Sequence, residues 1–149
     1  MKYRSPGSKI EEIRYRYLPG VGQDAGEKWR RMREKLLKVL SERCMKLEIN
    51  FDEPNYLTGD CAQPRGKGYH FIIMGDPRGR EYEIRLYITG RMFQEFVDLV
   101  DSISDKIAKR KYINYEPSLY YDGEFWLGCK EPDKIPEFLG ELADILRGD

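Results

Sequence analysis

Hydrophobic residues recur at helical spacing in three segments of the chain. Within each segment they stand three or four residues apart, which places them on one face of an α-helix. This spacing predicts helices over residues 25–43, 92–107 and 133–147. Asp133 opens the last segment, and we expect its carboxylate to cap the N-terminus of that helix.

Elsewhere hydrophobic and polar residues alternate, which is the pattern of a half-buried β-strand. The predicted strands are residues 13–18, 45–51, 69–74, 82–88, 112–121 and 124–129. For the first of them a short helix is the alternative, because Ser8 and Glu11 have the spacing of a capping box. The last two flank Asp122-Gly123, a dipeptide that favours a two-residue hairpin turn.

The order of these elements predicts an α+β fold, with a mostly antiparallel five- or six-stranded sheet and about three helices packed on it. We expect residues 1–149 to form a single domain. Residues 1–9 are expected to be flexible. Residues 52–68 are polar and rich in Gly and Pro, and we predict that they form one long loop.

Cysteine and histidine are scarce in this chain. Cys44, Cys61 and Cys129 lie far apart, and His70 is the only histidine. The odd number of cysteines and the absence of a C-x-x-C motif predict reduced thiols and an intracellular, cytoplasmic protein. A four-ligand zinc site would need all three cysteines and His70, and a catalytic Cys–His pair would need His70 beside Cys61 or Cys129, so neither is expected.

Charge changes the picture more than hydrophobicity does. Hydrophobic residues make up 40% of the chain and charged residues 35%, with a net charge of zero. Residues 1–44 carry 12 Lys/Arg and 6 Asp/Glu, whereas residues 45–149 carry 14 and 20. The two parts could attract each other within one domain, or the basic part could meet an acidic partner or nucleic acid. We expect no membrane-spanning helix and no signal peptide.

The hairpin predicted around Asp122-Gly123 is unusually aromatic. A two-residue loop would pair Tyr121 with Glu124 and Leu119 with Trp126, which places all four side chains on one face. These residues would be core if helices covered both faces of the sheet. If helices covered one face only, Tyr121 and Trp126 would offer a binding surface.

Motifs for catalysis are nearly absent. The chain has no Walker A loop, no G-x-S-x-G and no H-E-x-x-H. Asp76 followed by Glu83-Ile84-Arg85 is similar to the acid and acid-x-Lys pattern of metal-dependent nucleases. Arg85 stands where those enzymes have a lysine that orients water, and arginine does not give up its proton.

We therefore expect a non-enzymatic binding or regulatory protein that needs no cofactor or metal and acts through a protein–protein contact. The residues expected to make the contact are Leu119, Tyr121, Glu124 and Trp126, with the 52–68 loop nearby. A homodimer through the same hairpin is an alternative to a separate partner.

The second alternative is nucleic-acid binding through a basic, aromatic N-terminal segment, and the third is a metal-dependent nuclease-like enzyme. The nucleic-acid candidates are Arg14, Arg16, Arg30, Arg31 and Arg33. Interleaved arginines and tyrosines can grip phosphates and stack on bases. The sequence pI of about 6.6 is low for such a protein.

Overall fold

The computed structural model of the chain describes residues 23–76, 81–89, 113–116 and 124–148. Within these ranges the chain forms two α-helices and six strands. The helices are α1 (Gln23–Arg43) and α2 (Ile135–Arg147). The strands are β1 (Lys46–Glu53), β2 (Tyr56–Ala62), β3 (Gly68–Met74), β4 (Tyr82–Thr89), β5 (Ile113–Glu116) and β6 (Glu124–Cys129).

The six strands form one sheet in the order β1-β2-β3-β4-β6-β5, and every neighbouring pair is antiparallel. The predicted α+β fold with an antiparallel sheet is confirmed. The described ranges contain two of the roughly three predicted helices. The helix predicted over residues 92–107 and the strand predicted over residues 13–18 lie outside them, as do residues 1–9.

Both helices pack against the same face of the sheet. The hydrophobic positions of α1 and α2 are buried together with the alternate positions of the strands, such as Phe71 on β3 and Leu86 on β4. Trp29 of α1 contacts Tyr82 of β4, with ring centroids 5.7 Å apart. The hydroxyl of Tyr69 donates a hydrogen bond of 2.7 Å to the Leu139 carbonyl of α2. Strand alternation thus gives the sheet one fully buried face.

The prediction of a long loop over residues 52–68 is wrong. β1 continues to Glu53, a two-residue turn follows, and β2 occupies Tyr56–Ala62. Asn55 in the turn has φ of 61°, a conformation that asparagine tolerates better than most residues. Gly59 lies within β2, although its presence in the sequence suggested a turn. A Cβ at this position would lie 2.6 Å from the Glu48 carbonyl oxygen and 2.7 Å from the Phe71 ring. Close packing, and not turn formation, requires this glycine.

The prediction of three reduced thiols is also wrong. Cys44, which follows α1, forms a disulfide with Cys61 on β2, and their Cα atoms lie 5.4 Å apart. Both residues are buried. Cys129 is a free, buried thiol. Burial raises the pKa of Cys129 to about 11, although its thiol donates a hydrogen bond to the Glu131 carbonyl.

Buried Gln63 joins three chain segments beside this disulfide. Its Nε2 donates to the carbonyls of Arg43 and Ala143, at 2.9 and 2.8 Å. Its Oε1 accepts a hydrogen bond of 3.0 Å from the Met45 amide. The side chain therefore satisfies backbone groups at the end of α1 and inside α2, and it fixes the α1–β1 connection on the sheet.

The last helix begins differently from the prediction. A 3₁₀ turn, Pro132–Lys134, precedes α2, and Lys134 holds the N-cap position without a side-chain capping bond. Asp133 lies inside that turn and does not cap α2. Pro136 needs no amide hydrogen bond in the first turn of a helix, which lets α2 start without a capping side chain.

Candidate functional site on the open face of the sheet

The face of the sheet opposite α1 and α2 is called the open face here. A β-bulge between Ile49 and Phe51 turns Phe51 onto this face, because it adds one residue to β1. The described side chains at its positions include Glu48, Phe51, Glu53, Tyr56, Thr58, Asp60, His70, Ile72, Met74, Glu83, Arg85, Tyr87 and Trp126. Neither described helix packs against it.

Trp126 lies half-buried on the open face, where Arg85 pairs with it across β4 and β6. The guanidinium carbon of Arg85 stands 4.2 Å from the centre of the indole ring. The same guanidinium also reaches Glu83, with a nitrogen–oxygen distance of 3.5 Å. The aromatic face attracts the cation, and the carboxylate holds it in place.

The predicted pairing of Leu119 with Trp126 is wrong. Trp126 pairs with Glu116, and Leu127 with Tyr115, so the register of β5 against β6 differs by three residues from the one that a tight Asp122-Gly123 turn would impose. Because the offset is odd, the β5 positions that share a face with Trp126 change. Leu119 and Tyr121 lie outside the described residues.

Glu124, another contact residue predicted from the sequence, belongs to the backbone of β6. It pairs with Tyr87 at the start of β6, two positions before Trp126. The opposite face of the same strand carries Leu127 and Cys129, which are both buried. The side chains of β6 therefore lie on two faces of the sheet, with Leu127 and Cys129 in the core and Trp126 on the open face.

An aromatic corner, defined as Phe51, Glu53 and Tyr56, lies at the other end of the open face. The rings of Phe51 and Tyr56 have centroids 6.3 Å apart and planes tilted by 56°. Phe51 is 37% exposed. Glu53 pairs with Tyr56 across the hairpin, and its Oε1 is buried without a hydrogen-bond partner. Because residues 52–68 were predicted to be one loop, the sequence did not predict this corner.

A polar cluster lies beside these aromatic groups, two residues away from Thr58, Ile72 and Arg85 along β2, β3 and β4. Asp60 accepts hydrogen bonds on both oxygens, from Asn50 Nδ2 at 2.9 Å and across the strand from His70 Nδ1 at 2.9 Å. The His70 ring contacts Tyr87, with centroids 5.8 Å apart. His70 lies on the open face, whereas Cys61 and Cys129 face the core. No zinc site or Cys–His pair can therefore form from these residues.

The arginines considered for nucleic-acid binding are used differently. Arg33 binds Asp52 of β1 through two hydrogen bonds, the one from Nε measuring 2.7 Å, and this bonding raises the pKa of the guanidinium. Arg30 lies 3.5 Å from Glu27 on the same helix. Arg31 is exposed. Arg14 and Arg16 lie outside the described residues.

The residues of the nuclease-like pattern lie at the end of β3 and on β4. Glu83 lies on the open face beside Arg85, and Asp76 follows the end of β3. Across the part of the chain that the structure describes, no group of three or more His, Cys, Asp or Glu residues could hold a metal ion. Neither described helix is long and apolar enough to cross a membrane.

Comparison with protein-family models, with curated proteins and with solved structures finds no match for this chain. Trp126 and Glu124 stay contact residues predicted from the sequence, whereas Arg85 was considered only in the nuclease-like pattern and Phe51 and Tyr56 were not singled out. The available signal was the alternation of β4, which places Arg85 on the same face as Glu83.

Proposed function

We propose that the protein acts by binding another protein through the open face, with Trp126 and Arg85 near the centre of the contact. The observation that carries the proposal is the Arg85–Trp126 stack, 4.2 Å from guanidinium to ring centre, on a half-exposed sheet face. No cofactor is needed for this activity, and a homodimer through the open face stays an alternative to a separate partner.

The composition of the open face supports a protein contact. Tryptophan, tyrosine and arginine dominate binding hot spots, because each contributes a large contact area together with a polar group. Trp126 and Arg85 are adjacent, and Tyr87 and Tyr56 lie on the same face.

The alternatives receive less support from the described residues. For nucleic-acid binding, Arg33 is already ion-paired with Asp52 and Arg30 with Glu27. Glu83 is engaged by Arg85, which weakens the nuclease-like pattern. The cytoplasmic location stays a prediction, and the Cys44–Cys61 disulfide removes the argument from reduced thiols that led to it.

Site-specific photo-crosslinking tests the proposal. A photoreactive phenylalanine analogue replaces Tyr87 on the open face or, as a control, Lys28 on the exposed side of α1. We expect the first variant alone to cross-link a discrete protein in a lysate of the source cells. That protein, once purified, should bind the unmodified chain and lose at least about tenfold in affinity for Trp126→Ala.

A melting curve of Trp126→Ala must show a folded protein, and Arg85→Leu gives a second test that keeps the indole. Equal cross-linking from both positions would contradict the proposal. So would a failure to cross-link any protein, or undiminished binding by both variants.

A further inference from the structure

The aromatic corner combines two rings with a carboxylate oxygen that lacks a partner. Phe51 and Glu53 are two residues apart on β1 and so share the open face, and Tyr56 lies opposite Glu53. A buried polar atom without a hydrogen bond costs about 1–3 kcal/mol, so such an atom calls for an explanation. A cation placed beside Glu53 Oε1 would remove this cost.

The rings of the corner favour the same kind of ligand. The faces of aromatic rings attract ammonium and guanidinium groups within about 6 Å of the ring centre. The open face already contains one such contact, the guanidinium of Arg85 over Trp126. Phe51 is exposed enough to turn aside, and rotamer changes of this kind are common when interfaces form.

Charge on the open face points in the same direction. The described lysine and arginine side chains of this face, Lys46 and Arg85, each lie beside a carboxylate of the same face, Glu48 at 2.8 Å and Glu83 at 3.5 Å. The acidic side chains of this face that the structure describes are Glu48, Glu53, Asp60 and Glu83. The face is therefore complementary to a basic surface.

Thr58 supplies a second group that awaits a partner. It lies beside Phe51 across the β1–β2 pair and is 3% exposed. Its hydroxyl has no hydrogen-bond partner. Once the neighbouring Phe51 side chain turns aside, a backbone carbonyl of an extended segment that crosses β2 can accept this hydrogen.

We propose that the partner presents a basic segment to the open face. One of its lysine or arginine side chains enters between Phe51 and Tyr56 and pairs with Glu53, while a backbone carbonyl accepts the hydroxyl hydrogen of Thr58. This inference depends on the proposed function, since it names the chemistry of the partner that binds the same face.

Two substitutions on β1 test the inference at equal charge. Glu53→Gln removes the carboxylate of the aromatic corner, and Glu48→Gln removes an exposed carboxylate of the same strand and face. The probe is a fluorescent peptide of alternating lysine and serine, titrated by anisotropy at near-physiological salt against the full chain. We expect Glu53→Gln to weaken binding about tenfold and Glu48→Gln less than about twofold.

Three results would overturn the inference. The first is an equal loss of peptide affinity in the two variants, and the second is no binding of the peptide to the unmodified chain. The third is self-association of the chain that Glu53→Gln abolishes, because this result would assign the site to a second copy of the chain. The proposed function fails separately. If the cross-linked partner binds Glu53→Gln normally but does not bind Trp126→Ala, the basic segment is refuted and the proposed function stands. If the partner binds both Trp126→Ala and Arg85→Leu with unchanged affinity, the contact through Trp126 and Arg85 is refuted.

Discussion

Reduction of the Cys44–Cys61 disulfide should destabilise the protein by an amount set by chain entropy. The bond joins residues 17 positions apart. For a closed loop of that size, the loss of entropy in the unfolded chain corresponds to about 3 kcal/mol at 25 °C. Because small domains are stable by only about 5–15 kcal/mol in total, this is a large fraction. Over 149 residues it corresponds to a fall in Tm of about 10 °C.

Urea unfolding of the same chain with and without a phosphine reductant measures this difference without changing any side chain. The third cysteine does not interfere, because Cys129 forms no disulfide in the structure. Gln63 should hold the end of α1 in place after reduction, since its hydrogen bonds do not involve sulfur. We therefore expect a folded but weaker reduced protein.

Two results would refute this reasoning. If oxidised and reduced chains unfolded at the same urea concentration, the bond would contribute nothing to stability. If the oxidised chain contained three free thiols by titration under denaturing conditions, the bond would not exist.

Further predictions concern packing, charge and pH. Gly140→Ala should cost about 1–3 kcal/mol in urea unfolding, because the new Cβ would lie 2.6 Å from a valine methyl of α1, whereas Gly26→Ala has open space and should gain up to about 1 kcal/mol. Asp52→Asn weakens the ion pair with Arg33 that joins β1 to α1, and it should lower the free energy of unfolding by about 1–3 kcal/mol. Glu27→Gln removes an exposed ion pair with Arg30 and should lower it by less than about 0.5 kcal/mol. Equal losses from the two variants would contradict the structure. The raised pKa of Cys129 means that the folded state favours the neutral thiol. The stability that this thiol contributes should be complete below about pH 9 and be lost as pH rises towards 11. A Cys129→Ala variant should lack this pH-dependent loss of stability, and an identical pH profile for the two proteins would refute the prediction.

Much of the fold follows from side-chain spacing. The alternation of Tyr82, Ile84, Leu86 and Ile88 defines β4 because one face is buried. The run from Trp29 to Leu40 at helical spacing defines α1 for the same reason. Such patterns record burial, which is the dominant contribution to folding.

Features that depend on distant parts of the chain escaped sequence reasoning. Gly59 looks like a turn residue until its neighbours on β1 and β3 are known. Cys44 and Cys61 meet only because β1 folds back on β2. The β5–β6 register follows the pairing of Glu116 with Trp126, and the turn dipeptide did not determine it. Half of the candidate site depended on these contacts, because the aromatic corner exists only if β2 is a strand.

Acrylamide quenching of tryptophan fluorescence tests the central claim most directly. Trp29 is buried and Trp126 is only half-buried, so the free chain should show one protected and one quenchable component. Saturation with the partner recovered by cross-linking at Tyr87 should remove the quenchable component, because the contact covers Trp126. A quenchable Trp126 that persists in the saturated complex would contradict the assignment of the open face as the binding surface.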